Sequence, residues 1–112
     1  MGFDITGIKP KKEVGEYFHN NCWYWRPLWD FCKEVAPKII DDKLHKAGHY
    51  NDGEIINSDD AHVLGCLLFG SLENGCADKY KGKYQVKSHI FEIENLFQFA
   101  VFCINSGGFE IC

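Results

Sequence analysis

The chain has 112 residues, a length that fits one domain with a single hydrophobic core, and we predict one compact domain over residues 1–112. Its formal net charge of −4, with acidic and basic residues interspersed, argues against direct nucleic-acid binding, which would normally require a basic face. No signal-peptide pattern and no apolar run of roughly 18 residues is visible, so we expect a cytoplasmic protein that binds no membrane. Its six cysteines contain no CxxC pair and are expected to be reduced, mostly buried thiols.

The N-terminal half is predicted to contain one strand and one amphipathic helix. Alternating apolar residues predict a strand over 2–5, followed by a turn region over 7–12 and one helical turn over 13–18. Pro27 suits the first turn of a helix, where its missing N–H removes no helical bond, and Pro37 is expected to kink or end that helix. The apolar positions of this helix recur at three- and four-residue spacing: Leu28, Phe31, Cys32, Val35 and Ile39.

The C-terminal half is predicted to contain a loop and two further helices. Residues 45–57 are rich in glycine, asparagine and aspartate, which favour turns. Ser58 is predicted to N-cap a helix that ends at Gly75, because serine caps the first free N–H groups and glycine tolerates the left-handed backbone of a helix stop. The last helix is predicted to begin at Glu94 or Asn95 and to end at Gly107-Gly108.

The two ends of the chain are alike, Gly-Phe-Asp-Ile at 2–5 and Gly-Phe-Glu-Ile at 108–111. Each is too short to be a stable strand by itself, and two paired strands need helices beneath them. We therefore predict an α+β fold in which about three helices pack on a small sheet that pairs the N- and C-terminal strands.

All three tryptophans lie in one short segment, and this segment is the main candidate for a binding site. Aromatic rings offer large contact areas, and an arginine can stack on them or bind an anion with two hydrogen bonds. If Trp25 and Trp29 share a helical face, then Trp23 and Arg26 point elsewhere. One interpretation places two or three rings in the core, with Arg26 paired to a carboxylate. The other makes Trp23, Tyr24, Trp25, Arg26 and Trp29 a recognition surface for a protein or for a planar anion such as a nucleotide.

The predicted loop offers weaker candidates. Tyr50 and Asp52 belong to a turn-forming Tyr-Asn-Asp-Gly string, which could also present both side chains to a ligand. His45 and His49 are four residues apart, a spacing that suits two zinc ligands on one helical face. Gly48 weakens a helix there, and no tetrahedral ligand set follows in the sequence. We therefore predict no metal and no cofactor.

Catalysis is the least favoured class of function. Cys22 could pair with His19 or His62 as an activated thiol, but neither pair lies in a recognised local signature. A metal- or thiol-dependent enzyme built on His45, His49 or Cys22 remains the third alternative. We expect the chain not to be an enzyme.

Two longer strings carry a resemblance to a known group. A GxYFxxNxWxWRPLW segment covers residues 15–29, and an SGGFEIC tail covers residues 106–112. With the Gly-Phe-Asp-Ile start and the Tyr-Asn-Asp-Gly string, the chain resembles a group of small uncharacterised proteins found in bacteria and their phages. The resemblance implies no catalytic residue or cofactor, but it does imply a phage or mobile-element setting.

The leading hypothesis is therefore a non-catalytic accessory protein that acts in the host cytoplasm. It would bind and inhibit a host protein, for example a bacterial immune component of the anti-phage or CRISPR type, through its aromatic segment. The same surface could also join two copies in a homodimer. The alternative is a protein that sequesters a nucleotide-like signal between aromatic rings and Arg26.

Overall fold

The computed structural model describes residues 2–50, 53–84 and 88–112. It contains four strands, β1 (Gly2–Gly7), β2 (Tyr17–Asn21), β3 (Glu54–Ile56) and β4 (Phe109–Ile111). Its helices are α1 (Cys22–Val35), α2 (Asp42–Ala47), α3 (Ser58–Glu73), α4 (Cys76–Lys83) and α5 (Ile93–Asn105), with a 3₁₀ turn at Glu13–Gly15. Within the described ranges, none of the helices has the length and apolar character needed to cross a bilayer.

The strands form one antiparallel sheet in the order β2-β1-β4-β3, with the two termini paired at its centre. Ile5 of β1 lies opposite Ile111 of β4, and Gly7 lies opposite Phe109. The pairing continues to the chain end, because Cys112 N–H donates to Asp4 O at 2.8 Å. The predicted α+β fold with paired terminal strands is confirmed.

One face of this sheet forms a wall of the aromatic core. Phe3 of β1 stacks on Trp25 of α1 with ring centroids 5.8 Å apart, and Phe18 of β2 packs on Phe99 of α5 at 5.1 Å. Phe109 of β4 meets Phe99 edge-on at 5.7 Å. Because side chains alternate along a strand, the other face is open to solvent and carries Asp4, Thr6, Tyr17, His19 and Ile55.

The first long helix begins five residues before the predicted start at Pro27. Asn21 caps α1, its side-chain oxygen accepting the N–H groups of Trp23 and Tyr24 at 3.1 and 3.2 Å. Pro27 therefore lies in the second turn, where its missing N–H leaves Trp23 O without its helical donor. The N–H of Ile90 donates to that oxygen at 2.9 Å instead. A long-range hydrogen bond thus makes an interior proline tolerable.

Other local predictions are partly confirmed and partly wrong. Helix α1 ends at Val35, before Pro37, and Gly75 follows α3 in the left-handed region at φ 83°, both as predicted. The N-cap of α3 is Asn57 instead of the predicted Ser58. The predicted loop over 45–57 contains the end of α2 and all of β3, because β3 is stabilised by pairing with β4. Tyr17 and Phe18 belong to a strand, not to the predicted helical turn.

Candidate functional site

Burial divides the aromatic segment into two groups of side chains. Trp25 and Trp29 are 0% exposed and stack on each other at 5.3 Å between ring centroids, whereas Trp23 is 50% exposed. The prediction that Trp25 and Trp29 contribute to a binding surface is wrong, because their four-residue spacing places both on the face of α1 that packs in the core. Trp23 lies off that face.

The two buried tryptophans hold the end of α2 against α1. Trp29 Nε1–H donates to His45 O at 3.0 Å, and Trp25 Nε1–H donates to Gly48 O at 2.8 Å. A Cβ at Gly48 would lie 2.2 Å from Trp29 Nε1, so only glycine lets the backbone approach the ring this closely. The position of the segment from His45 onward is therefore fixed by two indole hydrogen bonds and by ring packing.

This arrangement brings His45 and His49 onto Asp30 of α1. His45 Nε2 lies 2.7 Å from Asp30 Oδ1, and His49 Nε2 lies 2.9 Å from the same oxygen. The two Nε2 atoms are 3.3 Å apart. We refer to Asp30, His45 and His49 as the His–His–Asp cluster; it is the only group of three or more potential metal ligands found among the described residues.

The His–His–Asp cluster is partly exposed and electrostatically coupled. Partial burial raises the pKa of Asp30, but hydrogen bonds from His49 and His45 outweigh this effect and hold the pKa below its ordinary value. His49 Nδ1 is buried and has no hydrogen-bond partner among the described residues, so that ring is oriented by packing and by Asp30. The carboxylate is thus held ionised beside two imidazole nitrogens.

The third member of this cluster was missed by the sequence analysis. Asp30 is separated from His45 and His49 by 15 and 19 residues, and carboxylates are too common for such a separation to be informative. Asp30 is placed there by its neighbour Trp29, whose indole N–H binds the backbone of the histidine segment. That contact is visible only in three dimensions.

A second candidate site lies one turn earlier on α1. Arg26 follows Trp23 by three residues, and such residues are neighbours on a helix surface. Arg26 Nε is buried and has no hydrogen-bond partner, and within residues 2–50, 53–84 and 88–112 Arg26 takes part in no ion pair. The interpretation in which Arg26 pairs with a carboxylate therefore finds no support in the described residues. We call the exposed indole and the unpaired guanidinium the Trp23–Arg26 patch.

Tyr24 lies beside an acidic cleft. It is partly buried and lines an open depression of about 380 Å³ together with seven other residues: His19, Asn20, Asn21, Glu92, Glu94, Asn95 and Gln98. Asn20 and Asn95 are hydrogen-bonded to each other across it, at 2.8 and 3.0 Å. The two glutamates disfavour an anionic ligand in this cleft.

The loop candidates are less informative. Tyr50 is 57% exposed and its backbone N–H donates to Ala47 O at 3.0 Å, closing the turn after α2. Asp52 lies outside the described residues, so the predicted pairing of Tyr50 with Asp52 in a ligand-facing loop stays a prediction.

The open face of the sheet carries a third polar group. Asp4 and His19 lie directly opposite each other on β1 and β2, and His19 Nδ1 is 2.9 Å from Asp4 Oδ1. Tyr17 Oη–H donates to the same carboxylate oxygen. The hydrogen bond from Tyr17, followed by that from His19, lowers the pKa of Asp4 below its ordinary value. All three side chains are well exposed, as expected for cross-strand pairs on a solvated face.

The lowered pKa of Asp4 predicts a weak dependence of stability on pH. The unfolded carboxyl titrates near its ordinary pKa of about 3.9, and the folded one titrates lower. The stabilisation is therefore complete above about pH 5 and is lost as the pH falls through the folded pKa. We expect the melting temperature of Asp4→Asn to lie slightly below that of the wild type at pH 7, and this gap to narrow toward pH 3. Tyr17→Phe should show a smaller gap with the same trend; a gap independent of pH would contradict the assignment.

The cysteines give no support to a thiol enzyme. All six are free. Burial raises the pKa of Cys32 and of Cys103, so both thiols stay neutral. The prediction that the thiols are mostly buried is wrong, because Cys22 is only partly buried and three others are exposed, Cys66, Cys76 and Cys112. The ring of His19, one of the predicted partners of Cys22, is hydrogen-bonded to Asp4 instead.

Comparisons with protein-family models, with curated proteins and with solved structures found no match for this chain. The resemblance to small phage proteins therefore stays a prediction, and the function is inferred from the side chains of this chain.

Proposed function

We propose that this protein is a non-catalytic binding protein that binds a host protein through the Trp23–Arg26 patch and thereby inhibits it. The observation that carries the proposal is that a half-exposed indole and a guanidinium without a partner among the described residues lie three positions apart on one helix. Both groups project from one rigid helix that is anchored in the core by Trp25 and Trp29.

Arg26 provides the polar part of this surface. A guanidinium has five N–H donors and stays charged at all physiological pH values. Burying the Nε donor without an acceptor costs about 1–3 kcal/mol. The remaining N–H groups of this half-buried side chain can donate two parallel hydrogen bonds to an incoming carboxylate. The chain has 16 acidic and 12 basic residues, yet none of the described acidic side chains is bonded to Arg26. An acidic group of a partner is the simplest complement.

Trp23 provides the apolar part. Its ring is 50% exposed, and Ile90, whose N–H is bonded to Trp23 O, is 46% exposed. Two exposed apolar side chains thus belong to residues joined by a backbone hydrogen bond, and Arg26 follows Trp23 by three residues on the helix. Tryptophan and arginine are among the residues most enriched in the energetic centres of protein–protein interfaces. A partner side that combines an apolar surface with a carboxylate would match both parts.

The charges near the patch favour a protein over a nucleotide. The cleft beside Tyr24 is lined by Glu92 and Glu94, whose negative charges oppose a phosphate group. Trp23 is half exposed, Arg26 is half-buried, and neither lines any of four depressions in the described part of the chain. Small ligands are usually enclosed in a concave pocket, so this surface suits a protein interface better. We therefore favour a protein partner, and the experiment below would reveal nucleotide sequestration if it occurred.

The resemblance to phage proteins supplies the biological setting of the proposal. A small protein that binds stoichiometrically to a host factor fits an inhibitor of a bacterial anti-phage or CRISPR component, acting in the host cytoplasm. The compact aromatic core gives such a protein a rigid helix on which to display two side chains.

The test is affinity capture from a bacterial host lysate, followed by affinity measurements with the captured protein. We expect Arg26→Ala and Trp23→Ala each to weaken binding by at least about 30-fold, the effect of removing an interface hot spot. Matched controls are Ile55→Ala, another exposed apolar side chain that lies on the open face of the sheet, and Lys79→Ala, an exposed cation on α4. Both controls should bind like the wild type.

Three outcomes would contradict the proposal. Capture that is unaffected by both patch variants would place the interface elsewhere. A rise in melting temperature with a nucleotide, lost in Arg26→Ala, would favour sequestration of a small anion. A concentration-dependent molecular mass that is lost in Trp23→Ala, without any captured protein, would show that the patch joins two copies of this chain.

A further inference from the structure

We propose that Asp30, His45 and His49 bind a divalent transition-metal ion, with zinc as the best match. This inference does not depend on the Trp23–Arg26 patch or on its partner. It starts from the convergence of three ligand atoms of different side chains, all within 4.8 Å of one another.

The separations suit a tetrahedral ion. Zinc binds histidine nitrogen at about 2.0–2.1 Å, so two ligands of a tetrahedral site are about 3.3 Å apart. His45 Nε2 and His49 Nε2 are separated by 3.3 Å. Asp30 Oδ1 lies 2.7 and 2.9 Å from these nitrogens, and a movement of about half an ångström by the carboxylate would complete the ligand triangle.

The supporting residues hold the histidines in place before an ion arrives. Trp29 Nε1–H binds His45 O, and Trp25 Nε1–H binds Gly48 O, immediately before His49. Both indoles are fully buried, so the segment cannot move without disturbing the core. Metal sites depend on such support, because it keeps ligand atoms near the required geometry.

The ligand types select the class of metal. Magnesium and calcium prefer oxygen ligands only, whereas two imidazoles and a carboxylate suit zinc and its neighbours among the transition metals. The side chains of His45, His49 and Asp30 are 29%, 21% and 39% exposed, so solvent can reach the ion and fill its fourth position. Three protein ligands with one open position are typical of zinc sites that bind a water or another ligand.

The experiment is a titration of the metal-stripped protein with Zn²⁺, read by calorimetry and by long-range ¹H–¹⁵N spectra of the imidazoles. We expect one equivalent to bind and the Nε2 signals of His45 and His49 to shift, while those of His19 and His62 stay in place. His45→Ala, His49→Ala and Asp30→Asn should each weaken binding by more than about 100-fold, since even changes to supporting residues cost 10–100-fold. His62→Ala, at an exposed position on α3, is the matched control.

Cobalt(II) distinguishes this site from the exposed thiols of Cys66, Cys76 and Cys112. Its visible spectrum should show tetrahedral coordination without a sulfur-to-cobalt charge-transfer band. The proposal is overturned if the wild type binds no Zn²⁺, if thiolate bands appear, or if the imidazole signals of His45 and His49 do not shift. The spectra use the wild-type protein, so they decide the question even if a variant fails to fold.

Discussion

Replacing Gly15 with alanine is expected to have the largest destabilising effect among the substitutions proposed for this protein. A Cβ at Gly15 would lie 2.0 Å from Asn105 O and 2.3 Å from Asn105 C, both backbone atoms that cannot turn aside like a flexible side chain. In the same region, Lys11 N–H donates a hydrogen bond to Asn105 O at 2.8 Å. Moving the Gly15 segment away from the end of α5 would therefore also strain this hydrogen bond. We expect a loss of about 4 kcal/mol or more, against a total of about 5–15 kcal/mol for a domain.

Urea denaturation followed by circular dichroism measures this loss, and Gly70→Ala is the matched control. Gly70 lies inside α3, and a Cβ there would meet no atom within 4 Å. Alanine lowers the conformational freedom of the unfolded chain, so we expect Gly70→Ala to raise the free energy of unfolding by about 0.5–1 kcal/mol. A Gly15→Ala protein with the wild-type denaturation midpoint would show that the close approach at Gly15 is absent in solution.

Trp25→Ala is expected to have the second largest effect. The Trp25 ring is 0% exposed, stacks on Phe3 and Trp29, and meets Phe99 edge-on at 5.4 Å. Its removal leaves a large cavity and deletes the hydrogen bond to Gly48 O. Truncation of a buried tryptophan typically lowers the free energy of unfolding by about 3–5 kcal/mol. Differential scanning calorimetry should show a melting temperature lower by at least roughly 10 °C.

Trp23→Ala is the control for this prediction, since it removes the same side chain two residues earlier on the same helix. Trp23 is half exposed, so the change in stability should stay within about 0.5 kcal/mol. The pair separates the structural from the recognition role of the aromatic segment: Trp25 is expected to affect folding, whereas Trp23 is expected to affect binding to a partner. Equal destabilisation by the two substitutions would contradict this division.

The segment from Trp23 to Trp29 thus serves three purposes in the structure. Trp25 and Trp29 fill the core, Trp23 is half exposed beside the half-buried Arg26, and the two buried indoles place His45 against Asp30. A helix makes this division unavoidable, because Trp23 and Trp25 are two positions apart and point to different sides, whereas Trp25 and Trp29 are four positions apart and share a face. The binding and metal proposals can therefore be tested independently, although both sites use side chains of one helix.

Much of the fold follows from local sequence patterns. Alternation predicted β1, and the Gly-Phe-acid-Ile repeat at both ends predicted the pairing of β1 with β4. Three- and four-residue spacing predicted the three long helices, and Pro37 and Gly75 marked two of their ends. These signals are reliable because backbone geometry and glycine or proline conformation act within a few residues.

The errors occurred where distant residues decide the structure. Strand β3 forms by pairing with β4, which lies more than 50 residues away in the sequence. Pro27 is accepted in the second turn of α1 because Ile90 supplies a donor to Trp23 O. A three-residue strand and an interior proline both lack a local stabilising signal, so no pattern around them could have predicted either feature.

By itself, the sequence determined an α+β domain whose ends pair and three amphipathic helices, because periodicity and chain conformation are local properties. It left open which tryptophans of the aromatic segment are buried, and only the tertiary structure decided that Trp25 and Trp29 lie in the core and that Trp23 is half exposed. Only the tertiary structure decided that Arg26 lacks a described partner and that Asp30 meets His45 and His49. The meeting of Asp30 with the two histidines depends on which backbone carbonyls the Trp25 and Trp29 indoles bind across the core. Such contacts join residues about 20 positions apart and have no period in the sequence.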